Sequence, residues 1–139
     1  MNVPFLDLKT PHARLREDLL RSIEPALLNA QFIGGESVIG FETEFASFCG
    51  SPQCIGVSSG TDALRFALIA AGIREGDTII TVPNTFIATT EAISQSGAEI
   101  FFTDVDERTH QMDPDALEKT VRKPMDKNIP AKAVIPVHL

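Results

Sequence analysis

From residue 54 onward the chain alternates between two hydrophobic periods, and that alternation narrows the folds open to it. Short apolar runs at Cys54–Val57, Thr78–Val82, Glu99–Thr103 and Ala133–Val137 read as buried strands. Between the first two, Leu64, Ala67, Leu68 and Ala71 recur at the i, i+3, i+4, i+7 spacing of one helical face, which predicts a helix over Thr61–Ala71. Phe86–Gln95 reads as a second helix. Asp113 caps a third, with Pro114 at its first position and Leu117 and Val121 on its inner side. Arg122–Pro130 reads as a polar loop. Strands separated by helices need crossover connections, which make neighbouring strands parallel. Near-continuous apolar strands are those expected when both faces of a sheet are covered. The predicted class is α/β.

The first 50 residues follow a different pattern. Leu15, Leu19, Ile23 and Leu27 step by four, giving an amphipathic helix over Pro11–Asn29 that Pro25 is expected to kink or split. Phe32-Ile33-Gly34-Gly35-Glu36 reads as a glycine-hinged loop, and Val38, Phe41, Phe45, Phe48 and Cys49 share one face of a second helix. The expected organisation is therefore helices and a loop over 1–50, then βαβ units over 51–139. A parallel sheet should pass from its last strand into a loop and a covering helix, so the end at Pro136-Val137-His138-Leu139 reads as cut.

A length of 139 residues with 43% hydrophobic content is enough for one domain with a core. A net charge of −7 with scattered basic residues argues against nucleic acid and against anionic membrane surfaces. No apolar run approaches the roughly 20 residues of a membrane span. The start, Met1-Asn2-Val3-Pro4-Phe5-Leu6-Asp7, lacks the pattern of a signal peptide, so a cytoplasmic location is expected. Cys49 and Cys54 are expected to be reduced, structural thiols, because His12, His110 and His138 supply no metal spacing.

In open α/β sheets ligands gather at the carboxyl ends of strands, and three such ends carry candidate chemistry. The first is Ser58-Ser59-Gly60-Thr61-Asp62. A helix start leaves N–H groups unpaired and carries partial positive charge, so this turn could hold a phosphate; the same residues also make an ordinary helix cap. The second is Pro83-Asn84-Thr85-Phe86, where Phe86 could stack on a flat ring or be a core residue. At the third, Asp104 and Asp106 could hold a cation or an amine, but a pair capping turns at the surface is the favoured reading. Neither His110 nor His138 shows a catalytic partner in the sequence. No Gly-x-Ser-x-Gly, Walker or dinucleotide fingerprint is present, and Val82-Pro83-Asn84 lacks the acid that would hold a ribose.

Seven segments in order carry a family resemblance. They are Val3-Pro4-Phe5-Leu6-Asp7-Leu8, Phe32-Ile33-Gly34-Gly35, Phe41-Glu42-Thr43-Glu44-Phe45-Ala46 and Ser59-Gly60-Thr61-Asp62-Ala63-Leu64, followed by Thr85-Phe86-Ile87-Ala88-Thr89, Phe102-Thr103-Asp104-Val105-Asp106 and Pro136-Val137-His138-Leu139. Together they resemble the N-terminal part of DegT/DnrJ/EryC1/StrS aminotransferases, pyridoxal-phosphate (PLP) enzymes that aminate nucleotide-linked keto-sugars. The resemblance implies part of the large domain of a type I PLP-transferase fold, a mostly parallel sheet with helices on both faces, working as a homodimer. It assigns Ser59, Gly60, Thr61 and Asp62 to the cofactor phosphate, Phe86 to stacking over the pyridine ring, and Phe32, Ile33, Gly34 and Gly35 to a loop near the substrate and the subunit interface. It implies glutamate or glutamine as amino donor. The Schiff-base lysine and the aspartate under the pyridine nitrogen fall beyond Leu139 in relatives, as does a C-terminal small domain. None of Lys9, Lys119, Lys123, Lys127 and Lys132 stands in the lysine's setting, so the chain alone is expected not to transaminate. Some relatives have replaced that lysine and catalyse dehydration. The alternative from another class is a non-catalytic module that binds a phosphate or a nucleotide-sugar.

Overall fold

The computed structural model describes residues 3–126 and 130–138. The chain forms two compact units, Met1–Gly56 and Val57–Leu139.

The first unit is helical. Helix α1 spans Lys9–Leu28, and Asp7 stands at its entrance, accepting the N–H groups of Lys9 and Thr10 at 3.1 Å each and the Thr10 hydroxyl at 2.6 Å. Pro25 does not split it. The residue falls in the last turn, where its missing N–H costs one intrahelical bond, and its carbonyl takes both the N–H and the side-chain amide of Asn29. Leu15, Leu19, Ile23 and Leu27 line up as the spacing predicts, but their stripe is exposed. Helix α2 covers Glu36–Cys49 and ends on Gly50, whose φ of +65° suits glycine. Along it, Phe41 stacks on Phe45 at 5.5 Å, and Phe45 meets Phe48 at 6.1 Å.

The second unit holds the sheet. Its elements in order are α3 (Gly60–Ala70), β1 (Thr78–Thr81), α4 (Ile87–Gln95), β2 (Glu99–Phe102), α5 (Pro114–Asp126) and β3 (Ala131–Val134). The strand order is β2-β1-β3 and both pairings are parallel, with an irregularity where Thr78 faces Ala131 and Ile79 faces Ala133. Register aligns Ile79, Ile100 and Ala133 across one face. There they pack with Leu64 and Leu68 of α3 and Ala92 and Ile93 of α4. Helix α5 packs on β1 and β3, and none of its side chains among the described residues joins that cluster, so it covers the opposite face.

Every residue of β1 is buried, as a central strand covered on both faces should be. The outer strands are not: Phe102 is half exposed and β3 alternates between half-buried and exposed positions. Three expectations are corrected here. The last strand is Ala131–Val134 and not Ala133–Val137: it begins two residues earlier, where Ala131 pairs with Thr78, and 135–137 lie past its end. Cys54–Val57 forms no strand; it has no ladder partner among the described residues, and Ile55 is 78% exposed. The expected loop over Arg122–Pro130 is helical up to Asp126, because α5 continues through it, while residues 127–129 lie outside the described residues. Met1, Asn2 and Leu139, which belong to the terminal segments read above, also lie outside them. Among the described residues no helix is long and apolar enough to cross a membrane.

Candidate functional site

Helix α3 feeds through the turn at 71–77 into the start of β1, and Gly76 N–H bonds to Gly97 O in the turn before β2. Both turns therefore sit at the amino edge of the sheet. Eleven helical residues run about 16 Å back across strands about 13 Å long. This carries the start of α3 to the carboxyl edge, where β1 also hands over to α4. The candidate turn and Phe86 share that edge.

At the start of α3, Ser59 is the capping residue in an extended conformation, and its hydroxyl oxygen accepts the Asp62 N–H at 3.1 Å. Ser59 O accepts the Ala63 N–H at 3.0 Å. The N–H groups of Gly60 and Thr61 have no acceptor among the described residues. Gly60 is exposed, and a Cβ built on it would meet no atom within 4 Å. Neither a neighbour nor a left-handed backbone demands glycine at that position. Two free donors beside a glycine with open space around it form a cradle that an anion can enter, and this fits a phosphate.

Asp62 organises the rest of the turn. Ser58 donates its hydroxyl proton to Asp62 Oδ2, Ser59 Oγ lies 3.4 Å from the same oxygen, and Arg65 Nη2 donates to Oδ1 at 3.2 Å. The Ser58 hydrogen bond, with the Arg65 charge behind it, holds the Asp62 carboxyl below its ordinary value. Arg65 also lies over the Phe66 ring at 4.6 Å. Sequence reasoning missed Arg65, although its i, i+3 spacing from Asp62 on a helix was the available signal.

Phe86 precedes α4 in an extended conformation and is 78% exposed, which removes the core reading. Beside it, the Thr85 and Thr89 hydroxyls share a hydrogen bond of 2.8 Å, with Thr89 buried at the base of the helix. Asp106 accepts the N–H groups of Arg108 and Thr109, and Asp104 accepts that of Val105, so the pair shapes a surface turn as favoured. These bonds, Thr109's first, hold Asp106 below its ordinary value. Asp113 caps α5 through the N–H groups of Asp115 and Ala116. His138 Nδ1 meets Gln111 Oε1 at 3.1 Å, a partner invisible in the sequence, while His110 is exposed with a φ of +56°.

In the first unit, Phe32 and Ile33 are exposed, Ile33 at 97%. Gly34 and Gly35 take φ of +62° and +84°, and Gly35 O accepts the N–H groups of Val38 and Ile39 to open α2. Only glycine holds the Gly35 geometry without strain. Cys49 and Cys54 are free thiols; Cys49 is exposed and Cys54 half-buried, so neither is a fully buried packing residue. In the same unit, Glu42 Oε1 accepts the Gly56 N–H at 2.6 Å.

The family model for DegT/DnrJ/EryC1/StrS aminotransferases matches residues 13–139. A UDP-2-acetamido-2-deoxy-3-oxo-D-glucuronate aminotransferase of Pseudomonas aeruginosa is 36% identical over 137 residues, covering 99% of this chain and 36% of that enzyme. A solved DegT DnrJ EryC1 StrS aminotransferase from Brucella abortus superposes with a TM-score of 0.90 at 31% identity, over 97% of this chain and 36% of that one. The NtdA structure from Bacillus subtilis, solved with bound cofactor PMP, gives a TM-score of 0.82 at 31% identity, over 99% and 31% of the two chains. The chain thus spans about a third of the length of the relatives it matches.

Proposed function

Because the chain belongs to the DegT/DnrJ/EryC1/StrS aminotransferase family, we propose that it forms the N-terminal part of a PLP-dependent aminotransferase acting on keto-sugars carried on a nucleotide, with glutamate or glutamine as amino donor. The observation that carries the reading is the open cradle at Gly60 and Thr61, two unpaired N–H groups at the start of α3 in a chain of this family. When bound, PLP would supply the electron sink for moving an amino group.

The work of this chain's own residues is binding and orientation. The N–H groups of Gly60 and Thr61, with the Thr61 and Ser59 hydroxyls, hold the phosphate in the field of the helix start. Phe86 offers an exposed ring to cover one face of the pyridine and keep water from it. Asp62 fixes the turn by accepting the Ser58 hydroxyl and by donating its own N–H to Ser59 Oγ. The family resemblance assigns the Phe32–Gly35 loop, whose Phe32 and Ile33 are exposed, to contact with the substrate and with the partner subunit of a homodimer, in the cytoplasm. In the family the chain belongs to, amino transfer itself falls to a Schiff-base lysine and to an aspartate under the pyridine nitrogen, roles for which none of these 139 residues is proposed.

Equilibrium dialysis of the 139-residue chain against PLP, with and without inorganic phosphate, tests this. The expected result is PLP binding that phosphate competes away, with no turnover of glutamate and a nucleotide keto-sugar. Binding of phosphate with no preference for PLP would instead support the non-catalytic binding module. Binding of neither would remove the cradle.

A further inference from the structure

The start of α3 already contains an anion. Asp62 is the third residue of the helix and its carboxylate sits in the first turn, where the helix field favours negative charge. A phosphate arriving at Gly60 and Thr61 would share that field with a like charge. Arg65, one turn on, donates to Asp62 Oδ1 at 3.2 Å and makes the pair neutral.

The guanidinium is held in place. It lies over the Phe66 ring at 4.6 Å, the side chain is half-buried, and its Nε is buried with no hydrogen-bond partner among the described residues. These contacts keep the guanidinium beside the Asp62 carboxylate.

The proton inventory of the turn points the same way. Ser58 has one hydroxyl proton and spends it on Asp62, so in this arrangement its oxygen can only accept and offers nothing to a phosphate dianion. Ser58 and Asp62 thus act as scaffold, and the donors left for an anion are the N–H groups of Gly60 and Thr61, the Thr61 hydroxyl and the Ser59 hydroxyl, whose own contact with Asp62 Oδ2 is a long 3.4 Å.

We propose that Arg65 is a positioning residue for phosphate binding: it neutralises Asp62, so that Asp62 can tie down the turn without repelling the anion that the turn receives. This rests on the reading of the α3 start as a phosphate site. The requirement is one of charge, and this separates it from a packing role for Arg65 on Phe66.

The test is the dissociation constant for inorganic phosphate, measured by equilibrium dialysis at low salt on the 139-residue chain and four variants, each checked for folding by circular dichroism. Arg65→Gln is expected to weaken binding roughly two- to fivefold, the scale of an exposed ion pair, and the deficit should shrink as salt is raised. Arg65→Lys keeps the charge and should bind within about twofold of the parent. Adding Asp62→Asn to Arg65→Gln removes the uncompensated carboxylate and should restore binding, because the Ser59 cap uses the Asp62 backbone N–H. Asp62→Asn alone should bind no more weakly than the double variant. Equal affinity for Arg65→Gln and the parent overturns the proposal, as does an Arg65→Lys deficit matching that of Arg65→Gln, or failure of the double variant to recover. If the parent binds no phosphate, the phosphate site itself is lost and the proposal with it. Parent binding with an unmoved Arg65→Gln overturns the role of Arg65 alone.

Discussion

Replacing Gly60 with alanine separates the cradle from the fold. Gly60 is the first residue of α3, it takes no left-handed conformation, and no atom stands within 4 Å of the position a Cβ would occupy. The fold should therefore accept the methyl, and the lower chain entropy of alanine should raise stability by up to about 1 kcal/mol. Binding should move the other way. Side chains on a helix lean toward its N-terminus, so the new Cβ points back toward the space in front of the free Gly60 and Thr61 N–H groups. Losing one hydrogen bond to a charged group costs about 1.5–3 kcal/mol, or roughly 10- to 150-fold in affinity. Urea unfolding and equilibrium dialysis with PLP on the same samples read both quantities. An alanine variant as stable as the parent that still binds PLP equally would refute the cradle, and one that fails to fold would refute the open space.

Phe86→Ala should leave stability within about 0.5 kcal/mol, since the ring is exposed, yet weaken PLP roughly two- to tenfold without touching inorganic phosphate. Equal loss for both ligands would exclude stacking. Ile79→Ala, at the fully buried centre of the sheet, should cost about 2–5 kcal/mol by urea unfolding, and a cost below 1 would mean that β1 is not the core. Asp62 is held below its ordinary value, so its contribution to the turn is present above the unfolded pKa and lost as pH falls through the lower folded value. Carbon-detected NMR should place its midpoint under 3.8, and Ser58→Ala should move it up; no movement would deny Ser58 the leading part. Glu42→Ala should speed hydrogen exchange at the Gly56 amide, whereas Glu42→Gln keeps an acceptor and should not; equal rates in all three would show that the bond is not protective.

The periodic elements were legible because their spacing is set by geometry that tertiary contacts did not override: α3, β1, α4 and β2 each fall within two residues of expectation. The segment at 54–57 misled because an apolar run shows burial tendency and not the ladder partner a strand needs. The α5 extension was hidden by Pro124 and by lysines, which read as loop although lysine is a good helix former. At the candidate site, the hydroxyls and glycine of the turn were visible as residue types. The direction of their protons was not, since the Ser58, Asp62 and Arg65 contacts depend on rotamers that a one-letter pattern does not encode.

The strand order β2-β1-β3 also constrains the sequence of events during synthesis. The central strand leaves the ribosome well before residues 131–134, which cover its second edge. Until then, among the described strands, β1 can pair with β2 alone through α4, a local closure of modest entropic cost, and its other edge stays bare. A pause in translation between α5 and β3 would therefore hold an apolar strand with an open edge, the kind of nascent species on which chaperones act.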